Sequence, residues 1–346
     1  MPQVRGNLRC IFETTVKNFS GIGGLNCSVF DENDVLLSND NCSRTESEEF
    51  EAPTWRSSLN YTPLDGMLVY GSISTGYRAG GINLRGINNE TLEPFDEETV
   101  TTFEIGHKTD WGLVSDLPLR TNFAVFYQEY EDIQKSVAST KGGLNFGTGA
   151  INAAEAVLQG AEFDLTWLAT DDLVLAVGYS YLDAQYDSWD REVSWTGAPT
   201  GLIVDYSNAN FTYVPRNTAT ASANYTLPVD PMLGDMSFYI SVYWQDEMAT
   251  YDNADALVQQ AGYAGWSQEN LDAALDTTET DSYAIWNVRF DWRSAMGSDF
   301  DAAVYVNNAT DEEYVIGGLN VIDSLGTAAA TYGEPRTIGA SLRYNF

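Results

Sequence analysis

The chain closes on a run of alternation, Pro335-Arg336-Thr337-Ile338-Gly339-Ala340-Ser341-Leu342-Arg343-Tyr344-Asn345-Phe346. Ile338, Ala340, Leu342, Tyr344 and Phe346 share one parity, while Thr337, Gly339, Ser341, Arg343 and Asn345 share the other. A period of two is the strand period, so one face of this strand is apolar and the other polar. A strand of about 9–11 residues is the length that crosses a bilayer at a tilt. An ordinary antiparallel strand alternates too, so the rest of the chain has to decide.

Period-2 segments recur about twelve times. An irregular one covers residues 3–17, followed by 55–62, 67–77, 99–111, 119–131, 156–168, 173–186, 218–227, 237–244, 284–292 and 300–307, then the terminal strand. The clearest places Ala219, Ala221, Ala223, Tyr225 and Leu227 opposite Thr218, Thr220, Ser222, Asn224 and Thr226. Short connections fall near 63–66, 112–118, 169–172, 228–235 and 294–299. Long ones fall near 18–53, 78–98, 132–155, 187–214, 245–282 and 308–335, with a possible helix in 252–275. Short turns at one end and long loops at the other are the pattern of an outer-membrane β-barrel. Tyr61, Trp111, Tyr225, Trp244 and Trp292 end the apolar faces, as an interfacial aromatic girdle requires. A soluble β-sandwich also has many strands, but its strands are shorter than these. The expectation is an all-β, antiparallel transmembrane barrel.

Charge excludes some functions. Fifty acidic residues against 17 basic give a net charge of −33, which repels nucleic acid. An aromatic content of 13% argues against disorder. No apolar run is long enough for a membrane helix, which leaves strands as the means of crossing. Cys27 and Cys42 flank an acidic loop and could pair in an oxidising compartment or stay free, with Cys10 left over. Met1–Arg5 carries no apolar signal-peptide core. Catalysis is not expected. The single histidine, His107, shares the parity of Phe103 and Ile105 on the expected outer face, and a Ser-His esterase barrel is the enzyme alternative. Gly21-Ile22-Gly23-Gly24 lacks a phosphate-loop lysine, and Asp31, Asn33 and Asp34 lack EF-hand spacing. No metal site and no cofactor are expected.

Several segments, in order, resemble the TonB-dependent outer-membrane receptors. Tyr70-Gly71-Ser72-Ile73-Ser74-Thr75-Gly76-Tyr77-Arg78-Ala79-Gly80-Gly81-Ile82-Asn83 is similar to the family's segment ending in G-G-[FI]-N. Phe103-Glu104-Ile105-Gly106-His107-Lys108 resembles its E-[LI]-G-x-K strand, and Phe126-Tyr127-Gln128-Glu129-Tyr130-Glu131-Asp132-Ile133-Gln134 its F-Y-x-x-Y-x-D-I-Q. Gly160-Ala161-Glu162 matches a G-x-E strand opening. Asn308-Ala309-Thr310-Asp311 resembles N-L-T-D with Ala309 in place of leucine, and Tyr332-Gly333-Glu334-Pro335-Arg336-Thr337 the last hairpin. Residues 55–346 carry these matches, whereas 1–54 reads as a diverged strand and a long loop.

The resemblance implies uptake of a scarce ligand, such as a ferric siderophore or other iron complex, across the outer membrane of a Gram-negative bacterium. It also implies a barrel of about 22 strands around a plug, driven by an inner-membrane energy-coupling complex. About twelve strands with no plug or coupling box would be the C-terminal half of such a barrel, from a truncated product or a partial reading frame. Tyr344 and Phe346 resemble the tag read by the barrel-insertion machinery. Ligand contacts are expected from Arg78, Asn83 and Arg85, whose guanidinium groups could hold an anionic chelate or pair with loop carboxylates. Trp189, Trp195, Trp266 and Tyr332, with Tyr213, could stack on a ligand or pack loops together. A passive pore and a soluble acidic adhesion module are the other functional classes.

Overall fold

The computed structural model describes residues 6–17, 43–83, 94–115, 117–141, 145–193, 195, 197–199, 201–321 and 327–346. Its body is one sheet of eleven antiparallel strands. In chain order these are β3 (Arg56–Leu64), β4 (Met67–Arg78), β5 (Glu98–Asp110), β6 (Leu119–Lys141), β7 (Asn145–Thr170), β8 (Leu173–Ser188), β11 (Asn217–Thr226), β12 (Asp235–Gln245), β15 (Tyr283–Arg293), β16 (Phe300–Asn307) and β19 (Thr337–Tyr344). Each pairs with the next, so sequence neighbours are sheet neighbours throughout. This is the up-and-down wall that the alternation and the turn pattern call for.

The register shows what each face is made of. One row runs Tyr61, Val69, His107, Phe123, Phe163, Tyr179, Ala219 and Trp244 across eight strands. The adjacent row on the other face runs Asn60, Tyr70, Gly106, Ala124, Glu162, Ser180, Thr218 and Gln245. The first face is apolar and open: Leu59, Ile105, Ile338 and Leu342 are each more than 60% exposed. An exposed apolar surface spanning a whole sheet needs a non-aqueous solvent against it. His107 lies on that face with its ring 6.1 Å from that of Phe123, as its parity implies.

On the inner face, aromatic rings lie over glycines of the neighbouring strand. Tyr70 pairs with Gly106, Phe126 with Gly160 and Tyr305 with Gly339. A Cβ at Gly160 would stand 2.6 Å from Phe126 and 2.4 Å from the Tyr181 carbonyl oxygen; at Gly339 it would meet the Tyr305 ring at 2.3 Å. The ring covers the gap that glycine leaves in a strand, and both positions become hard to enlarge.

Two expectations need correcting. The stretch 18–53 is not loop throughout, because β2 (Ser43–Thr54) runs into β3 with only Trp55 between them. β2 pairs with β1 (Gly6–Lys17), so the first strand joins this two-stranded sheet and not the eleven-stranded one. The expected long loop at 132–155 is instead the continuation of β6 and β7 far beyond their neighbours, through register shifts between Tyr130 and Gln134. Asp132 takes φ 56° there. A bulge shifts the side-chain parity, which is why the alternation fails there while pairing goes on.

The remaining long connections carry small elements of their own. β9 (Asp190–Val193) pairs with β10 (Leu202–Asp205), β13 (Met248–Ala249) with β14 (Glu279–Thr280), and β17 (Val315–Val321) with β18 (Thr327–Tyr332). A short helix, α1 (Trp111–Ser115), sits in one turn. The helix expected within 252–275 is present as two, α2 (Ala254–Ala264) and α3 (Gln268–Leu275). The Asn253 side chain accepts the amide of Ala256 to start α2, and Gly265 at φ 69° ends it.

Candidate functional site

Above the wall, the long connections fold inward over the extended part of β6–β8. Ile133, Ala154, Ala156, Tyr186, Trp189, Val193, Val204, Tyr206, Ala209 and Ala256 make one buried apolar cluster there. Alternation puts Tyr186 on the inner parity of β8, and burying it needs a cover, which Trp189, Tyr206, Ala209 and Phe211 provide with Ala256 of α2. The cover is tied down by backbone bonds: Tyr206 N–H to Trp189 C=O at 2.6 Å, and Asn210 N–H to Asp252 C=O at 2.6 Å. Aromatic rings dominate the packing. Tyr186 stacks on Phe211 at 4.2 Å and tilts against Trp189 at 5.0 Å, and Trp189 meets Tyr206 at 4.9 Å.

Two cations meet this cluster among the described residues, Lys135 and Arg191, whose guanidinium carbon lies 5.7 Å from the Tyr206 ring centroid. Lys135 donates to the Tyr186 hydroxyl, and its ammonium lies 4.6 Å, 5.1 Å and 5.3 Å from the ring centroids of Tyr186, Trp189 and Phe211. Desolvation lowers the Lys135 pKa, against the opposing pull of Asp252 and Glu98. Desolvation, with the same two carboxylates, raises that of Tyr186.

Beside this cluster the wall has a notch. β11 stops at Asn217, level with Tyr181, while β8 continues to Ser188. The opening is a cleft of about 830 Å³. Its floor is Arg216 and Asn217, its two sides are Leu182–Asp187 and Asp246–Ala249 with Glu279, and residues 207–211 form its roof. Arg216 donates to Asp183 at 2.9 Å and to the Tyr181 hydroxyl at 3.2 Å. Asn217 donates to Asp246 at 2.7 Å on one side and accepts from the Tyr179 hydroxyl, outside the cleft, at 2.6 Å. The lining is therefore polar, acidic and internally braced. Among the described residues no group of three or more histidine, cysteine or carboxylate side chains is placed to hold a metal ion.

The expected ligand contacts do not gather in this cleft. Asn83 is buried, with its amide donating to Ala150 C=O and accepting Ala150 N–H, both at 2.7 Å, so it brackets β7 rather than facing a ligand. Trp189 is 2% exposed and packs the loop core. Trp195 packs beside that core, its ring 6.4 Å from that of Tyr263, while Trp266 is half-buried at the end of α2. Tyr332 is exposed and lines a separate, smaller cleft against residues 276–280. Arg78 is exposed at the end of β4, its carbonyl accepting from Gln134 at 3.4 Å. Arg85, Cys27 and Cys42 lie outside the described residues. At the C-terminus Tyr344 packs between Phe300 at 4.9 Å and Phe346 at 5.0 Å. Reading the sequence missed the cleft because none of its groups belongs to a motif. Its one signal was the early end of the alternating run at Asn217.

The wall, with its apolar outside, polar inside and loops gathered at one end, defines an outer-membrane type of β-barrel sheet. A family model for the TonB dependent receptor-like β-barrel matches residues 12–309. The chain belongs to the TonB-dependent receptor family, as part of its barrel domain; the family is one of outer-membrane transport receptors, not enzymes. The probable TonB-dependent siderophore receptor PiuA of Acinetobacter baumannii is 24% identical over 220 residues, 62% of this chain and 28% of that protein. The ferric yersiniabactin uptake receptor FyuA from Yersinia pestis superposes with a TM-score of 0.62 at 19% identity, over 90% of this chain and 40% of that one. The copper transporter OprC superposes with a TM-score of 0.58 at 12% identity, over 90% and 42%. The chain thus spans less than half the length of each of these relatives.

Proposed function

We propose that this chain is part of the barrel of an outer-membrane receptor that takes up a scarce ligand, an iron complex such as a ferric siderophore, with energy from an inner-membrane complex. The observation that carries the reading is strand direction. Eleven strands alternate, so the edge strands β3 and β19 both run toward the end with the short turns. Two edges running the same way cannot close by antiparallel pairing, and an open edge in hydrocarbon costs several kcal/mol per unsatisfied backbone group. An all-antiparallel barrel is reached only with an odd number of further strands. A barrel of about 22 strands, wide enough to hold a plug, meets that condition. Relatives named for ferric yersiniabactin and siderophore uptake support iron as cargo, while one named for copper shares the fold.

The test is uptake of radioiron by the source cells under iron starvation, with and without the gene. The reading expects uptake that falls on deletion and collapses when a protonophore removes the inner-membrane gradient. Uptake that persists after the gradient is gone would point to a passive pore.

A further inference from the structure

The short turns of the wall are of two kinds. Asp65-Gly66 and Asp171-Asp172 are polar, and Asp65 and Asp171 are exposed. Three others are apolar at their tips. α1 reads Trp111-Gly112-Leu113-Val114-Ser115, and single 3₁₀ turns cover Pro231–Leu233 and Ala295–Gly297, with no charged residue among them. Leu113, Leu117, Met232 and Met296 are each more than half exposed.

These apolar turns fold against one particular side of the wall. The Trp111 indole donates to the Thr121 hydroxyl at 3.0 Å, and Thr121 shares the outer parity of Phe123 and Val125. α1 packs on β5 and β6. Thr109, opposite Thr121 on that face, is 1% exposed, while Ile105 and Val125 farther along the strands are open. A second tryptophan does the same elsewhere. Trp292 lies on the outer parity, in register with Ala302 and Leu342, and its indole donates to the Leu233 carbonyl at 2.6 Å. The turn at 231–233 packs on the turn at 295–297, which packs on β16, whose Phe300 is exposed. Both indoles hold their turns to the apolar side of the wall.

That side already has lipid against it, and these side chains continue it past the strand ends. Exposed leucine and methionine are buried at the headgroup–acyl boundary, where apolar groups sink about 5–10 Å. We propose that α1 with Leu117, and the turns 231–233 and 295–297, lie in the periplasmic leaflet, with Leu113, Leu117, Met232 and Met296 among phospholipid acyl chains. The turns of Asp65 and Asp171 stay in water. Such feet fix the depth of the wall. Raising it brings an aspartate toward hydrocarbon, which is costly, and lowering it strips lipid from the methionines.

Bimane-labelled single cysteines test this in the receptor as its source cells make it, with the native cysteines changed to serine. Leu113→Cys, Met232→Cys and Met296→Cys report the apolar turns, Asp171→Cys reports a turn left in water, and Ile105→Cys calibrates mid-strand depth. The protein is placed in vesicles of phosphatidylcholine brominated either near the headgroup end or near the middle of the acyl chains. Heat-modifiable migration picks out assembled variants, and Leu113 and Met232 decide if Met296→Cys fails to assemble. Shallow bromines are expected to quench the apolar turns about twofold more than Asp171, given that depth of burial. Quenching no greater than at Asp171 at two of the turns overturns the proposal. Shielding of those turns from a water-soluble quencher without bromine quenching also overturns it, since a protein surface such as a second copy would then cover them. Neither outcome depends on the cargo.

Discussion

At the scale of single residues, most motif positions turn out to be fasteners. Asn308 is buried at φ 49°, donates to the carbonyls of Glu312 and Glu334, and accepts the Glu312 amide at 2.8 Å. Asp311 of the same motif holds Arg336 at 2.9 Å, which ties the exit of β16 to the start of β19. Gln134 donates to the carbonyls of Ala79 and Asp96, and Asn83 brackets Ala150, so the extracellular ends of β4, β6 and β7 are clasped together. Gly80 sits where a Cβ would lie 2.2 Å from the Phe95 carbonyl oxygen. The motifs could be read from sequence because a one-residue clasp demands one residue type. Whether such a residue faces a ligand or a backbone cannot be read that way, and the Asn83 amide pairs with the Ala150 backbone.

Two residue-scale predictions concern the loop core. Trp189→Ala removes its most deeply buried ring and should destabilise that core by about 3–5 kcal/mol. The expected readout is faster protease cleavage around residues 197–203 with the wall left intact. Tyr186 has its pKa raised above the ordinary 10.0 by burial first. A raised folded-state value means the contribution is fully present below about pH 10 and is lost as pH rises through the folded value. Ultraviolet titration should show the late-ionising tyrosine phase losing the amplitude of one phenol in Tyr186→Phe. If that phase keeps its full amplitude in the variant, Tyr186 does not contribute to it.

At the scale of elements, alternation located the strands well wherever one face meets lipid and the other water. It failed where that contrast ends. Beyond Tyr130 and Gln159 both faces of β6 and β7 meet protein or water, and the bulge at Asp132 shifts the parity. The small hairpin of β9 and β10 was hidden for the same reason, since two four-residue strands offer too few positions to show a period. The face assignment makes its own prediction. Ile105 is 63% exposed on the outer face at mid-strand, so Ile105→Arg should cost about 2–4 kcal/mol of stability in the bilayer. The adjacent residue along β5, Glu104, lies half-buried on the inner face and should tolerate Gln with little change. Heat-modifiable migration of the folded protein on gels reads both, and equal tolerance at the two positions would contradict the assignment.

At the scale of the whole molecule, the architecture was legible because a barrel wall repeats one simple rule across many strands. The loop assembly was not, because its core is built from residues distant in sequence whose burial depends on how three connections meet. Tyr344 and Phe346 belong to this scale as well, since Tyr344 packs on Phe300 across the last strand pair and Phe346 packs on Tyr344. Deleting Phe346 should lower the amount of assembled protein in the outer membrane without changing expression. The claim on which the rest depends is that β3 and β19 are not partners of each other. Cysteine pairs placed along Arg56–Leu64 and Thr337–Tyr344 test it, in a background with Cys10, Cys27 and Cys42 replaced by serine and in outer membranes of the source cells. The account predicts no β3–β19 disulfide within one chain at any register. A ladder of such disulfides along the two strands would mean that eleven strands close on themselves and would contradict it.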